Sequence, residues 1–133
     1  MNRYLIAYLA TAIVMVALDM LWLRVIAADW YRQGMGHLMA GQVNFVAAGL
    51  FYLLFPLGLV IFAVSPSFTQ TAWSALAMGA LFGCFAYGTY DLTNLAVLKN
   101  WPVGLTVIDI AWGAFASGVA SLAGRAAVSV IAT

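Results

Sequence analysis

From Gln33 to Tyr90 the chain carries no Asp, Glu, Lys or Arg. A water-exposed fold needs charge at about a quarter of its positions, so this run has no aqueous surface to build. It is long enough to cross a bilayer core twice, since about 30 Å of hydrocarbon takes about 20 helical residues. Ser65-Pro66-Ser67 interrupts it with a turn signal. The rest of the 133 residues follows suit, with 7% charged, 66% hydrophobic and a mean hydropathy of +1.04. The chain reads as an integral membrane protein. A net charge of +1 leaves no basic patch for nucleic acid. The single cysteine, Cys84, excludes an intrachain disulfide and a multi-cysteine metal site.

Spanning β-strands would alternate apolar and polar residues over segments of about ten, whereas these runs are continuously apolar. The expected fold is all-α: a polytopic membrane protein with four transmembrane helices in one bundle, a single domain over 1–133. The helices are placed at about 4–27, 41–64, 71–92 and 103–125, with both termini on one side. Arg3 ahead of an apolar run has the outline of a signal peptide. Asp19, Trp22 and Arg24 then fall where a cleavage region would lie, so the segment is read as a retained span. Gly79, Gly83, Gly88, Gly113, Ser117, Gly118 and Ser121 allow close helix approach in lipid. Packing within the bundle is the simpler use of them. A homodimer or a larger membrane complex stays open as a partner beside the bilayer itself.

Against this background the aspartates stand out. A carboxylate at a helix centre costs about 2.5–3.5 kcal/mol on the insertion scale. Three of the four acids map to one end of the bundle: Asp19, Asp91 and Asp109. At about 1.5 Å of rise per residue, Asp19 lies about 6 Å inside Leu23 and Asp109 about 9 Å inside Val103. Asp91 falls in the last turn of the third helix, and Gln42 and Asn44 stand at the start of the second. Tyr87, Asp91 and Asn94 share a helix face if that helix continues so far. Asp19 and Trp22, like Asp109 and Trp112, form Asp-x-x-Trp. That spacing sets an indole one turn from each carboxylate, where its N–H is able to donate. The candidate ligand-binding set is therefore Asp19, Trp22, Asn44, Tyr87, Asp91, Asn94, Asp109 and Trp112.

A plainer reading competes with this one. Asp19 and Asp91 can reach headgroups beside Arg24 and Lys99, with Trp22, Trp101 and Trp112 as an aromatic belt. Asp109 resists it, being deepest and without a basic residue within a turn. Ionisable groups inside a span usually face the bundle interior or a water-filled cavity. For a metal, the candidate ligands are Asp19, Asp91, Asp109 and His37, the only histidine, although a lone loop histidine is more often solvated. No motif names a cofactor or a catalytic residue.

The strings Leu18-Asp19-Met20-Leu21-Trp22-Leu23, Tyr90-Asp91-Leu92-Thr93-Asn94, Lys99-Asn100-Trp101-Pro102 and Asp109-Ile110-Ala111-Trp112-Gly113 resemble a family of small bacterial integral membrane proteins. The resemblance spans the whole chain. That family is a domain of unknown function, so it implies four membrane helices and a bacterial inner membrane but no activity. Small multidrug transporters share the length, the helix count and an acid in the first helix. Three acids are too many for that pattern. Tryptophan-rich sensory proteins have five helices, one more than this chain holds.

Three function classes remain. One is an aspartate-lined pocket at one leaflet that binds or transports a cation, a proton or a small polar ligand. The second is a membrane-embedded enzyme acting on a lipid or isoprenoid, its acids holding a divalent metal or working as acid and base. The third is an accessory subunit of a larger membrane complex. Arg24, Arg32 and Lys99 at the aspartate end, against Arg3 and Arg125 at the other, lean weakly toward a cytoplasmic aspartate end.

Overall fold

Four helices long and apolar enough to cross a membrane make up a computed structural model that describes residues 2–39, 41, 42 and 44–132. They are α1 (Arg3–Ile26), α3 (Phe45–Ser67), α4 (Ala72–Val97) and α5 (Val103–Ile131). A short helix, α2 (Ala28–Met35), lies in the connection between α1 and α3, where the sequence pattern predicts a loop. Strands are absent among the described residues.

Local chemistry sets the helix ends. Asn44 caps α3, its side chain accepting from the Ala47 N–H at 3.1 Å, so the helix begins at Phe45 rather than Gly41. Thr71 caps α4 by accepting from the Ser74 N–H at 3.3 Å. The break between the second and third spans falls after Ser67, because helical backbone continues through Pro66. Asn100, at φ 60°, supplies the left-handed turn between α4 and α5. α5 continues past Gly124 and Arg125. Gly124 is not a stop signal there: a Cβ on it would run into the Thr11 hydroxyl of α1.

Two spans widen into π-helical turns, at Trp22–Ile26 and Val60–Val64. The first follows directly on Asp19-Met20-Leu21 and turns the chain toward α2. Single π turns of this kind often sit beside functional sites. Pro56 lies inside α3 and removes the N–H that would bond the carbonyl of Tyr52.

The outer surface is apolar, as lipid requires: Phe45, Val46, Leu53, Phe62, Phe85, Val107 and Phe115 are all exposed. The most extensive interface joins α4 to α5. It depends on small residues, since a Cβ at Gly79 would lie 2.7 Å from Ser121 Cβ and 2.8 Å from the Ser117 carbonyl oxygen. Gly83 meets Ser117 and the Gly113 carbonyl in the same way. The small residues thus serve packing inside the bundle. One buried cluster (Ile6, Ala7, Val60, Val64, Val128) fills the end near the termini. A second (Met15, Phe55, Leu59, Ala116, Ala120) forms the floor beneath the aspartates, with Tyr87 and Trp112 packed against it.

Candidate functional site

Above that floor is a cavity of about 390 Å³. Two carboxylates face it, Asp19 from α1 and Asp109 from α5, each only 5% exposed. Around them stand seven aromatic rings: Trp22, Tyr31, Phe51, Tyr52, Tyr87, Tyr90 and Trp112. Leu23 and Ala86 complete the lining.

Asp19 is held by two donors from two other helices. The Trp112 indole N–H donates to Oδ1 at 3.1 Å, and the Tyr52 hydroxyl donates to Oδ2 at 3.0 Å. Asp109 accepts from the Tyr31 hydroxyl, which reaches it from α2. That hydroxyl in turn accepts from the Trp22 indole N–H at 3.2 Å. Trp22 and Trp112 lie flat against each other, centroids 4.5 Å apart and planes 6° from parallel. The stacked pair therefore ties the two acidic arms together.

The indoles serve the aspartates crosswise, which corrects the expectation from Asp-x-x-Trp. Trp112 follows Asp109 on α5 but donates to Asp19 on α1. Trp22 follows Asp19 but serves Asp109 through Tyr31. Side chains on one helix lean toward its N-terminus, and here the indoles reach the facing helix instead of their own acid. Nor is Trp22 an aromatic-belt residue, being 7% exposed.

Asp91 stands beside this cavity and does not line it. It is 2% exposed, and its side chain comes within hydrogen-bonding reach of Asp109. Among the described residues its Oδ2 has no hydrogen-bond partner. Two carboxylates offer only acceptors, so a direct bond between Asp91 and Asp109 requires a proton on one of them. Tyr87 lines the cavity, packed so closely over Gly113 that a Cβ there would overlap its ring.

The remaining sequence candidates lie elsewhere. Asn44 is an exposed helix cap, occupied with Ala47. Asn94 is half-buried in the last turn of α4 and is absent from the lining. His37 is exposed in a single 3-10 turn after α2. Among the described residues no group of three His, Cys, Asp or Glu side chains comes together to hold a metal ion. The set Asp19, Asp91, Asp109 and His37 is therefore not assembled as a metal centre.

Tyr31 and Tyr52 were missed from the sequence, and both are direct donors to the acids. A phenol within an apolar run needs a hydroxyl partner when buried, and Tyr52 gave that signal. Tyr31 gave less, lying in the one polar stretch, between Asp29 and Arg32, which pair at the surface at 3.8 Å. Burial, and then the neighbouring Asp109 carboxylate, push the Tyr31 hydroxyl well above its usual range. It therefore stays a neutral donor.

The model of one protein family matches residues 4–126, which include every residue of the cavity. The chain belongs to DUF2177, a family of predicted membrane proteins. The four apolar helices are what that description requires. No curated protein and no solved structure matches the chain.

Proposed function

We propose that the cavity binds a small organic cation, with Asp19 and Asp109 supplying the charge and the aromatic wall supplying the shape. The observation that carries this reading is the lining: two buried carboxylates among seven aromatic rings and no basic side chain. A carboxylate attracts any cation. The ring faces add attraction worth about 0.5–2 kcal/mol each when desolvated, and they favour alkylated ammonium groups. For a bare metal ion, no group of three His, Cys, Asp or Glu side chains gathers among the described residues.

The donors fit the same role. Trp112, Tyr52 and Tyr31 stabilise the charged acids in the absence of a ligand, so the site is preorganised rather than built on binding. The Asp91–Asp109 pair adds a place where a proton can be held or released as the cation arrives. That arrangement suits coupled binding or transport in a multi-pass protein of the bacterial inner membrane. A lipid-modifying enzyme gains less support, because no metal set assembles among the described residues and both cavity carboxylates are engaged as hydrogen-bond acceptors.

The test is calorimetric titration of the protein in lipid nanodiscs with tetraethylammonium. Wild-type protein should bind one equivalent saturably, and Asp19→Asn and Asp109→Asn should each weaken binding at least tenfold. Equal affinity in wild type and both variants would remove the basis of the reading.

A further inference from the structure

The other end of the bundle holds a second groove, of about 340 Å³, lined by Arg3, Phe68, Arg125, Val128, Ser129 and Ala132. It gathers both arginines of that end. All four acidic side chains of the chain lie elsewhere, at Asp19, Asp29, Asp91 and Asp109. Two guanidinium groups thus share one groove without an acidic side chain between them.

Both heads are positioned. Arg125 donates from Nε to the Ser67 carbonyl at 3.2 Å and from an Nη to the Ser129 hydroxyl. Arg3 lies over the rings of Tyr4 and Phe68, with Cζ 5.2 and 5.0 Å from the centroids. Each guanidinium carries five N–H donors, so most remain available. The rest of the lining, Phe68, Val128 and Ala132, is apolar. The groove sits at the ends of α1, α3 and α5, where lipid headgroups lie.

We propose that this groove binds the phosphate group of an anionic phospholipid, gripped between Arg3 and Arg125. The guanidinium fork matches phosphate oxygens in pairs. Basic pockets between membrane helices are suited to anionic headgroups. The apolar wall favours a lipid over free phosphate, because it gives the glycerol and acyl portion a surface to cover. The site is separate from the aspartate cavity and stands whether or not that cavity binds a cation.

Native mass spectrometry gives the test, on protein released from phosphatidylcholine nanodiscs doped with phosphatidylglycerol. One phosphatidylglycerol should be retained in preference to phosphatidylcholine, saturating at one per chain. Arg3→Gln should weaken that binding about fivefold, the effect of one basic residue at a membrane surface, and Arg3→Glu should abolish it. Arg3 is exposed and, among the described residues, its side chain donates to neighbouring Tyr4, so these variants keep the fold. Arg125→Lys keeps charge but loses the fork, and should also weaken binding. Val107→Thr, at an exposed position of α5 outside both the cavity and the groove, should leave this retention unchanged. No preference for phosphatidylglycerol, or equal retention by Arg3→Glu, overturns the proposal. Saturable binding of inorganic phosphate in pure phosphatidylcholine, with the same arginine dependence, overturns the lipid assignment.

Discussion

Gly113→Ala adds one methyl group behind Tyr87, which lines the cavity, and should be costly. A Cβ at this position would overlap the Tyr87 ring, which packs against Phe55 and the buried cluster below. Either the ring must tilt or α4 must move away from α5. Overpacking of a filled core costs about 1–3 kcal/mol. Gly88→Ala is the control, since nothing lies within 4 Å of its Cβ position. There the better helix propensity of alanine contributes up to about 1 kcal/mol in favour. Gly113 also lies in a helix interior and gains the same amount, so the two variants should differ by the overpacking cost, about 1–3 kcal/mol. Titration with SDS in bicelles, followed by circular dichroism, measures the difference. In a Tyr87→Leu background the added cost of Gly113→Ala should shrink, a coupling that a double-mutant cycle isolates. If Gly113→Ala unfolds at the same SDS fraction as Gly88→Ala, the close seating of Tyr87 over α5 is wrong, and so is the cavity wall it forms.

The remaining predictions concern the polar groups. Tyr31→Phe removes the donor to Asp109 and the acceptor of the Trp22 N–H, and should destabilise by about 1–3 kcal/mol in the same SDS titration. Because the folded-state ionisation of Tyr31 is raised, its contribution to stability is complete below about pH 10 and falls as the pH climbs further. Ultraviolet titration of the folded protein at pH 11 should accordingly show the same tyrosinate absorbance in wild type and Tyr31→Phe. Asp109→Asn should insert and fold at wild-type levels, because an amide is easier to place in lipid than a carboxylate. It should still lose tetraethylammonium binding, whereas Val107→Thr on the lipid-facing side of the same helix should keep it. Gly83→Val should separate α4 from α5, since even its Cβ would meet Ser117 and the Gly113 carbonyl; an unchanged SDS midpoint would contradict that packing.

Four spans were legible because lipid imposes one rule on every residue, continuous apolar helix. The common level of Asp19 and Asp109 followed from helical rise alone. The direction of a side chain around its helix is less visible when nearly every position is apolar. That is why Asp91, at the right depth, falls beside the cavity, and why the indole partners crossed. Asn44 enters the candidate set as a polar residue in a helix placed from Gly41; that helix starts at Phe45, and the Asn44 side chain is spent on its cap. Tyr31 depended on how α2 folds back: a Cβ at Gly34 would lie 2.9 Å from the Pro102 ring, so that short helix seats against the start of α5. No local pattern in residues 28–35 foretells that contact.

The central claim is that the cavity selects for positive charge by means of Asp19 and Asp109. Tetraphenylphosphonium and tetraphenylborate share a shape and differ in sign, so their comparison isolates the charge. Binding of each to wild-type protein and to Asp19→Asn/Asp109→Asn is measured by equilibrium dialysis in nanodiscs, after subtracting partition into empty discs. The account predicts saturable binding of the phosphonium alone, lost in the double variant. Equal saturable binding of both ions, or phosphonium binding undiminished in the double variant, would contradict it.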